Sequence, residues 1–151
     1  MLRISKLTDY AILVMVELTA HRDEVLSAQS LAERCGLEAP TVSKVLKALV
    51  RAGLVESFRG ANGGYRAHGA PESVSIAAVI DAIEGPIAMT ECSVHEGLCT
   101  VEASCSARDN WQKVSRAVAE ALERVSLADM SRPADAGRFV PTGLEIATLG
   151  A

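Results

Sequence analysis

The stretch from Ser27 to Ala67 constrains this chain more than any other, because its helix starts and stops follow one another so closely. Ser27 can cap a helix N-terminus and Gly36 can end one, so together they bound a two-turn helix over 28–35. Pro40 suits a helix start, and Val42, Val45, Leu46, Leu49 and Val50 recur at helical spacing until Ala52-Gly53 ends the run. Only a tight turn fits between these two helices. Leu54 to Phe58 then reads as a strand, Arg59-Gly60-Ala61-Asn62-Gly63-Gly64 as a turn, and Tyr65 to Ala67 as the return strand. Within that turn, Asn62-Gly63 favours positive backbone dihedrals and a tight hairpin. A short helix, a tight turn, a longer amphipathic helix and a hairpin together spell a helix-turn-helix followed by a two-stranded wing.

The flanking segments fit a mainly α protein. Leu7, Ala11, Val14, Met15 and Leu18 recur at helical spacing across 5–20, and Ile12, Leu13 and Val16 add apolar positions, which predicts a helix buried on most sides. A short amphipathic helix is expected from Ser73 to Glu84, closed by Gly85-Pro86. Trp111, Val114, Val118, Ala121 or Leu122, and Val125 form a narrow apolar seam along a helix expected over 107–127. At ~1.5 Å per residue it would be roughly 30 Å long. A seam of that kind is best satisfied by the same helix of a second chain, so a homodimer joined by a long C-terminal helix is expected. The organisation read from these patterns is a DNA-binding region over 1–70, a short helix, cysteine loop and dimerisation helix over 71–130, and a tail over 131–151 with no sustained period.

With 151 residues, 49% of them hydrophobic, the chain can bury one ordinary core and a small appendage. Its net charge of −4 hides an asymmetry: residues 1–70 hold nine Lys/Arg against seven Asp/Glu, and residues 71–151 hold six against twelve. The front is therefore +2 and the remainder −6, which permits a nucleic-acid surface at the front. The apolar run from Tyr10 to Val16 is interrupted by Glu17, too short to span a membrane and unlike a signal peptide, so a cytoplasmic protein is expected. No nucleophile–base pair or phosphate-binding loop stands out, and an enzyme is not expected.

In that compartment four cysteines should be reduced, and three of them, Cys92, Cys99 and Cys105, fall close together. Their spacing lacks the C-x-x-C pairs of zinc ribbons and dithiol redox motifs. Three soft thiolates on a loop with Gly97 can converge on an iron–sulfur cluster, with structural zinc or a thiol switch as competing uses. Cys35, just ahead of a glycine stop, suits a small packing role. If the third helix enters a major groove, Pro40, Thr41, Ser43, Lys44 and Lys47 face the nucleic acid. Arg59, beside a glycine-rich turn, can follow the minor groove; the alternative is a strand-end cation near Glu56. Gly63 and Gly64 serve the shape of the wing more than base reading.

Taken together, Lys6-Leu-Thr-Asp-Tyr-Ala11, Leu31-Ala-Glu-Arg-Cys-Gly36, Gly53-Leu-Val55, Arg59-Gly60-x-x-Gly63-Gly64-Tyr65 and the triple-cysteine loop give the chain a clear likeness. It resembles the iron–sulfur-sensing winged-helix transcriptional regulators, the family of the Isc regulator IscR and the nitric-oxide-sensitive NsrR. Within that family it is most similar to regulators of the SUF iron–sulfur assembly operon. The resemblance implies a homodimeric transcription factor on double-stranded, approximately palindromic DNA. It further implies a 2Fe-2S or 4Fe-4S cluster on Cys92, Cys99 and Cys105, probing iron–sulfur status and acting as a repressor of assembly genes. In the Isc regulator a histidine follows the last cysteine by three residues; Arg108 stands there instead, so that ligand does not carry over. The nitric-oxide-sensing relatives use an aspartate of the first helix, which Asp9 matches, and the bland reading of Asp9 is a carboxylate paired with Lys6 or Arg3. His95, inside the loop, is a further candidate ligand.

Overall fold

The computed structural model describes residues 3–94, 97 and 99–132. The tail beyond Arg132 and the candidate ligand His95 lie outside the described residues. Seven α-helices are described: α1 (Lys6–Ala20), α2 (Ala28–Cys35), α3 (Ala39–Arg51), α4 (Ile76–Glu84), the single turn α5 (Glu91–Val94), α6 (Arg108–Glu123) and the single turn α7 (Leu127–Met130). Strands β1 (Val55–Phe58) and β2 (Gly64–Ala67) pair antiparallel, Val55 opposite Ala67 and Phe58 opposite Gly64. Short 3-10 turns occupy Pro71–Ser73 and Glu102–Ser104. The fold is the expected mainly helical one with a two-stranded wing.

Local chemistry explains the helix ends. The side chains of Ser5, Ser27 and Ser75 each accept a backbone N–H three residues on, capping α1, α2 and α4. Gly36 turns the chain out of α2 with φ +65°, its N–H returning to the carbonyls of Ala32 and Glu33. Helix α1 is the central element, packed against α2, α3, α4 and α7. Ala11, Val14, Met15 and Leu18 of α1 are fully buried with Leu31, Val42, Val45, Leu46, Leu49, Val79 and Leu127. This core fixes α3 by one face only. Leu26, ahead of α2, exchanges both backbone hydrogen bonds with Tyr65, at 2.9 and 2.8 Å, and so ties the wing to the helix pair. Gly64 makes that approach feasible, since a Cβ there would lie 2.6 Å from the Leu26 carbonyl oxygen.

Three expectations need correction. Helix α4 starts at Ile76 instead of Ser73, because Ser75 is its cap and Pro71–Ser73 form the 3-10 turn. The last long helix stops at Glu123, four residues before Leu127, which makes it 16 residues and about 24 Å long. Two backbone hydrogen bonds end it: Ile76 N–H donates to the Val125 carbonyl at 2.8 Å and Leu127 N–H to that of Val74 at 2.9 Å. A new helix starts there, where Ser126 and Asp129 form a capping box. In the wing, positive φ falls on Gly60 (+107°) and on neither Asn62 nor Gly63. The loop is longer than a two-residue hairpin, and Gly63 N–H closes it onto the Gly60 carbonyl at 3.0 Å.

Candidate nucleic-acid interface and cysteine loop

Helix α3 divides its faces by polarity. Val42, Val45, Leu46 and Leu49 are wholly buried, whereas Pro40, Ser43, Lys44, Lys47 and Arg51 are exposed and Thr41 is half-buried. Among the described residues, Lys44, Lys47, Arg51 and Arg59 make no ion pair, so no described carboxylate neutralises them. In water such free cations interact most strongly with a polyanion.

The wing shows where Glu56 is used. Its carboxylate accepts from Arg66 at 2.9 Å and lies 3.3 Å from His68 Nδ1, while the Arg66 guanidinium stacks 4.8 Å from the Phe58 ring centroid. The hydrogen bond from Arg66, then that from His68, holds the Glu56 carboxyl below the usual carboxylate range. Arg59 therefore is not the partner of Glu56. It stands exposed at the lip of a cleft of about 380 Å³ lined by Ser27, Ala28, Gly60, Gly63 and Tyr65. Gly63 has no room for a side chain, since a Cβ would lie 2.5 Å from the Phe58 carbonyl oxygen. Its role in the wing is geometric.

The cysteine segment is built differently. Cys92, on α5, is buried, with its sulfur 3.4 Å from the Thr90 hydroxyl; Cys99 and Cys105 are half-buried, and all three are free thiols. From Cys99 the chain runs through successive tight turns into α6: Glu102 N–H to the Cys99 carbonyl (3.2 Å), Cys105 N–H to that of Glu102 (3.3 Å), and Arg108 N–H to that of Cys105 (3.4 Å). The Glu102 carboxylate, 10% exposed, accepts from the Gly97 N–H at 2.7 Å and meets the Arg108 guanidinium at 2.8 Å. Two turns along α6, the buried Ser115 hydroxyl accepts from the Met89 N–H at 2.9 Å. Arg108, Gln112, Ser115, Ala119 and Leu122 share the more buried face of α6. On the neighbouring face Trp111 and Val114 of the expected seam are each 43% exposed.

The remaining candidates are placed as follows. Asp9 lies exposed in the first turn of α1 and pairs with neither Lys6 nor Arg3. Nearby, the Glu84 carboxylate accepts from the Thr8 hydroxyl and from the Ser5 N–H at 2.9 Å, tying the start of α1 to the end of α4. These two bonds, the Thr8 one first, lower the Glu84 pKa below the ordinary carboxylate value. Burial, then the charge of Glu17, raises the Cys35 pKa, as suits a packing thiol. Among the described residues no three His, Cys, Asp or Glu side chains meet in a metal-binding group, so none joins Asp9 to two of the cysteines. Sequence reasoning passed over Thr90, Glu102 and Ser115. The only available signal was the position of Glu102 midway between Cys99 and Cys105.

No helix among the described residues is long and apolar enough to cross a membrane. Comparison with known proteins places these features. Residues 4–133 match the Rrf2 family model, described as an iron-dependent transcriptional regulator. The chain is 29% identical over 122 residues to the HTH-type transcriptional regulator IscR of Aliivibrio salmonicida, covering 80% of this chain and 72% of that protein. It superposes on CymR, the global cysteine regulator of B. subtilis, with a TM-score of 0.66 and 32% identity, covering 87% of this chain and 97% of that one. For the T. potens IscR structure the TM-score is 0.62 at 30% identity, with 85% of each chain covered. A family of transcriptional regulators, not of enzymes, thus accounts for the winged helix and for its unneutralised cations. The chain belongs to the Rrf2 family of transcriptional regulators.

Proposed function

We propose that this regulator is an iron–sulfur-dependent repressor of cluster-assembly genes, acting in the cytoplasm as a homodimer on an approximately palindromic duplex. The observation that carries the reading is the cysteine segment: three free thiols lie on one stretch that runs by consecutive turns into α6. Cys92, Cys99 and Cys105 supply the soft donors that a 2Fe-2S or 4Fe-4S cluster takes. Arg108 is committed to Glu102 and offers no ligand, whereas the exposed, unpaired Asp9 is available to a second chain as the remaining donor. A bound cluster supplies an occupancy that follows iron supply and oxidants.

The chain's own residues divide the work. Residues 1–70 read DNA: Pro40, Thr41, Ser43, Lys44 and Lys47 face the major groove, and Arg59 enters the minor groove beside a turn shaped by Gly63. Residues 71–130 sense and pair: the exposed Trp111 and Val114 seam suits a second copy of α6. Ordering of 92–105 against α6 changes the spacing of two reading heads by a coupling on the order of 1–3 kcal/mol.

A second reading, in which the same thiols form a zinc site or a disulfide switch, is left open by the cysteine spacing, and the similar structures include CymR, a cysteine regulator. Iron and acid-labile sulfide counts on anaerobically purified protein separate the two. Iron with stoichiometric sulfide supports the cluster; zinc, or thiols alone after reconstitution, overturns it.

A further inference from the structure

Among the described residues, side chains make polar contacts between the cysteine segment and α6 at two points, Ser115 and the Glu102–Arg108 pair. At one end the Ser115 hydroxyl takes the Met89 N–H, three residues before Cys92. At the other the Glu102 carboxylate bridges the Gly97 N–H and the Arg108 guanidinium, enclosing Cys99 between its two anchors and standing three residues before Cys105. Arg108 and Ser115 are seven residues apart on α6, two turns on one face, about 10 Å along the axis. Arg108 is 29% exposed and Glu102 only 10% exposed, so this ion pair is shielded from the solvent that weakens surface pairs. Each oxygen of the carboxylate has its own donor, the arrangement that gives a charged acceptor its strongest hold. The loop also needs such a hold, because among the described residues of α5 and the Glu102–Ser104 turn only Cys92 is buried.

We propose that Glu102 and Ser115 are positioning residues of the cysteine segment: they staple it to one face of α6 at two points. A segment held at these two points leaves less chain for a ligand to order on binding. Because the staples sit on α6, any change of loop shape is delivered to the helix that also carries the Trp111 and Val114 seam. The inference deepens the cluster reading above and rests on it for its purpose, although the staples themselves are made by side chains other than the cysteines.

The test follows site-resolved alkylation of the metal-free, full-length protein by N-ethylmaleimide, with peptide mass spectrometry reporting each cysteine. Glu102→Ala removes both bonds and should speed modification of Cys99 and Cys105 on the order of tenfold, the worth of a charge-assisted contact. Glu102→Gln removes the same charge and keeps an oxygen for Gly97, so its rates should fall between those of the wild type and Glu102→Ala. Ser115→Ala should speed Cys92 alone. Cys35, anchored in the head, reports global opening and should keep its rate in all three variants. Equal acceleration in the Gln and Ala variants would assign the effect to charge and overturn the clasp. Unchanged rates, or acceleration of Cys35 along with the others, would overturn it as well. A colourless, sulfide-free native protein with the predicted alkylation order would instead retain the staples and discard the cluster.

Discussion

The winged-helix head and the cysteine segment of this regulator are held by different forces. In the head, α1 to α4 interlock through side chains with no solvent exposure, among them Met15, Leu18, Leu31, Leu46 and Val79. In α5 and α6 only Cys92 and Ser115 are buried; Leu122 near the end of α6 packs against the core, and toward the cysteines polar contacts add to that packing. Apolar burial is non-directional and accumulates with area, so the head is held by its own core. A segment held by a few charge-assisted bonds is specific in geometry and low in local stability, the regime from which switching elements are drawn. The molecule thus joins a head built on an apolar core to a cysteine segment with few buried side chains.

The sharpest way to break that contrast is to truncate one aliphatic side chain in each part. Leu46→Ala should cost ~2–5 kcal/mol in urea unfolding, through lost burial and the cavity left behind. Val114→Ala, at an exposed site, should stay within about 0.5 kcal/mol in the monomer. Comparable losses at the two sites would remove the distinction. Next in size is the seam. Trp111→Glu combined with Val114→Glu should shift sedimentation to the monomer and lower operator affinity at least ~10-fold, since one head alone forfeits the second half-site. An unchanged dimer would place the interface elsewhere.

Within the head, Arg59→Ala should weaken operator binding by roughly 1–3 kcal/mol and lower the steepness of its salt dependence by about one. Arg66→Ala should do less, because that guanidinium is already engaged by Glu56 and Phe58. Fluorescence anisotropy at several salt concentrations checks both; the reverse ranking would contradict the assignment of Arg59. The smallest effect concerns the link between α1 and α4. Glu84 has a pKa lowered in the folded state, so its contribution is present above the unfolded carboxylate pKa and is lost as pH falls through the folded value. Melting temperature followed from neutral pH into that acid range should decline more in the wild type than in Glu84→Gln. Parallel curves would show that the Ser5 and Thr8 contacts carry no linked proton.

The parts legible in the sequence were those governed by neighbours along the chain. Ser27 and Gly36 bound α2 at the residues where it begins and ends, and the buried face of α3 is the one its spacing defines. The end of α6 was not legible, because it depends on Ile76 and Leu127 claiming backbone partners across the fold. The Asn62-Gly63 pair suggested a tighter hairpin than forms, since the bond from Gly63 to Gly60 makes a longer loop the compact solution. Around the cysteines, composition suggested the chemistry. The staples of Glu102 and Ser115 are tertiary contacts of ordinary residues and leave no pattern in the chain.

The most direct test compares anaerobic operator affinity of the reconstituted protein, its metal-free form, and a variant with Cys92, Cys99 and Cys105 replaced by alanine. The account predicts a roughly 5- to 150-fold difference between reconstituted and metal-free protein, with the triple variant fixed at the metal-free value whatever iron and sulfide are supplied. Equal affinity in all three preparations, with the chromophore present in the first, would contradict it.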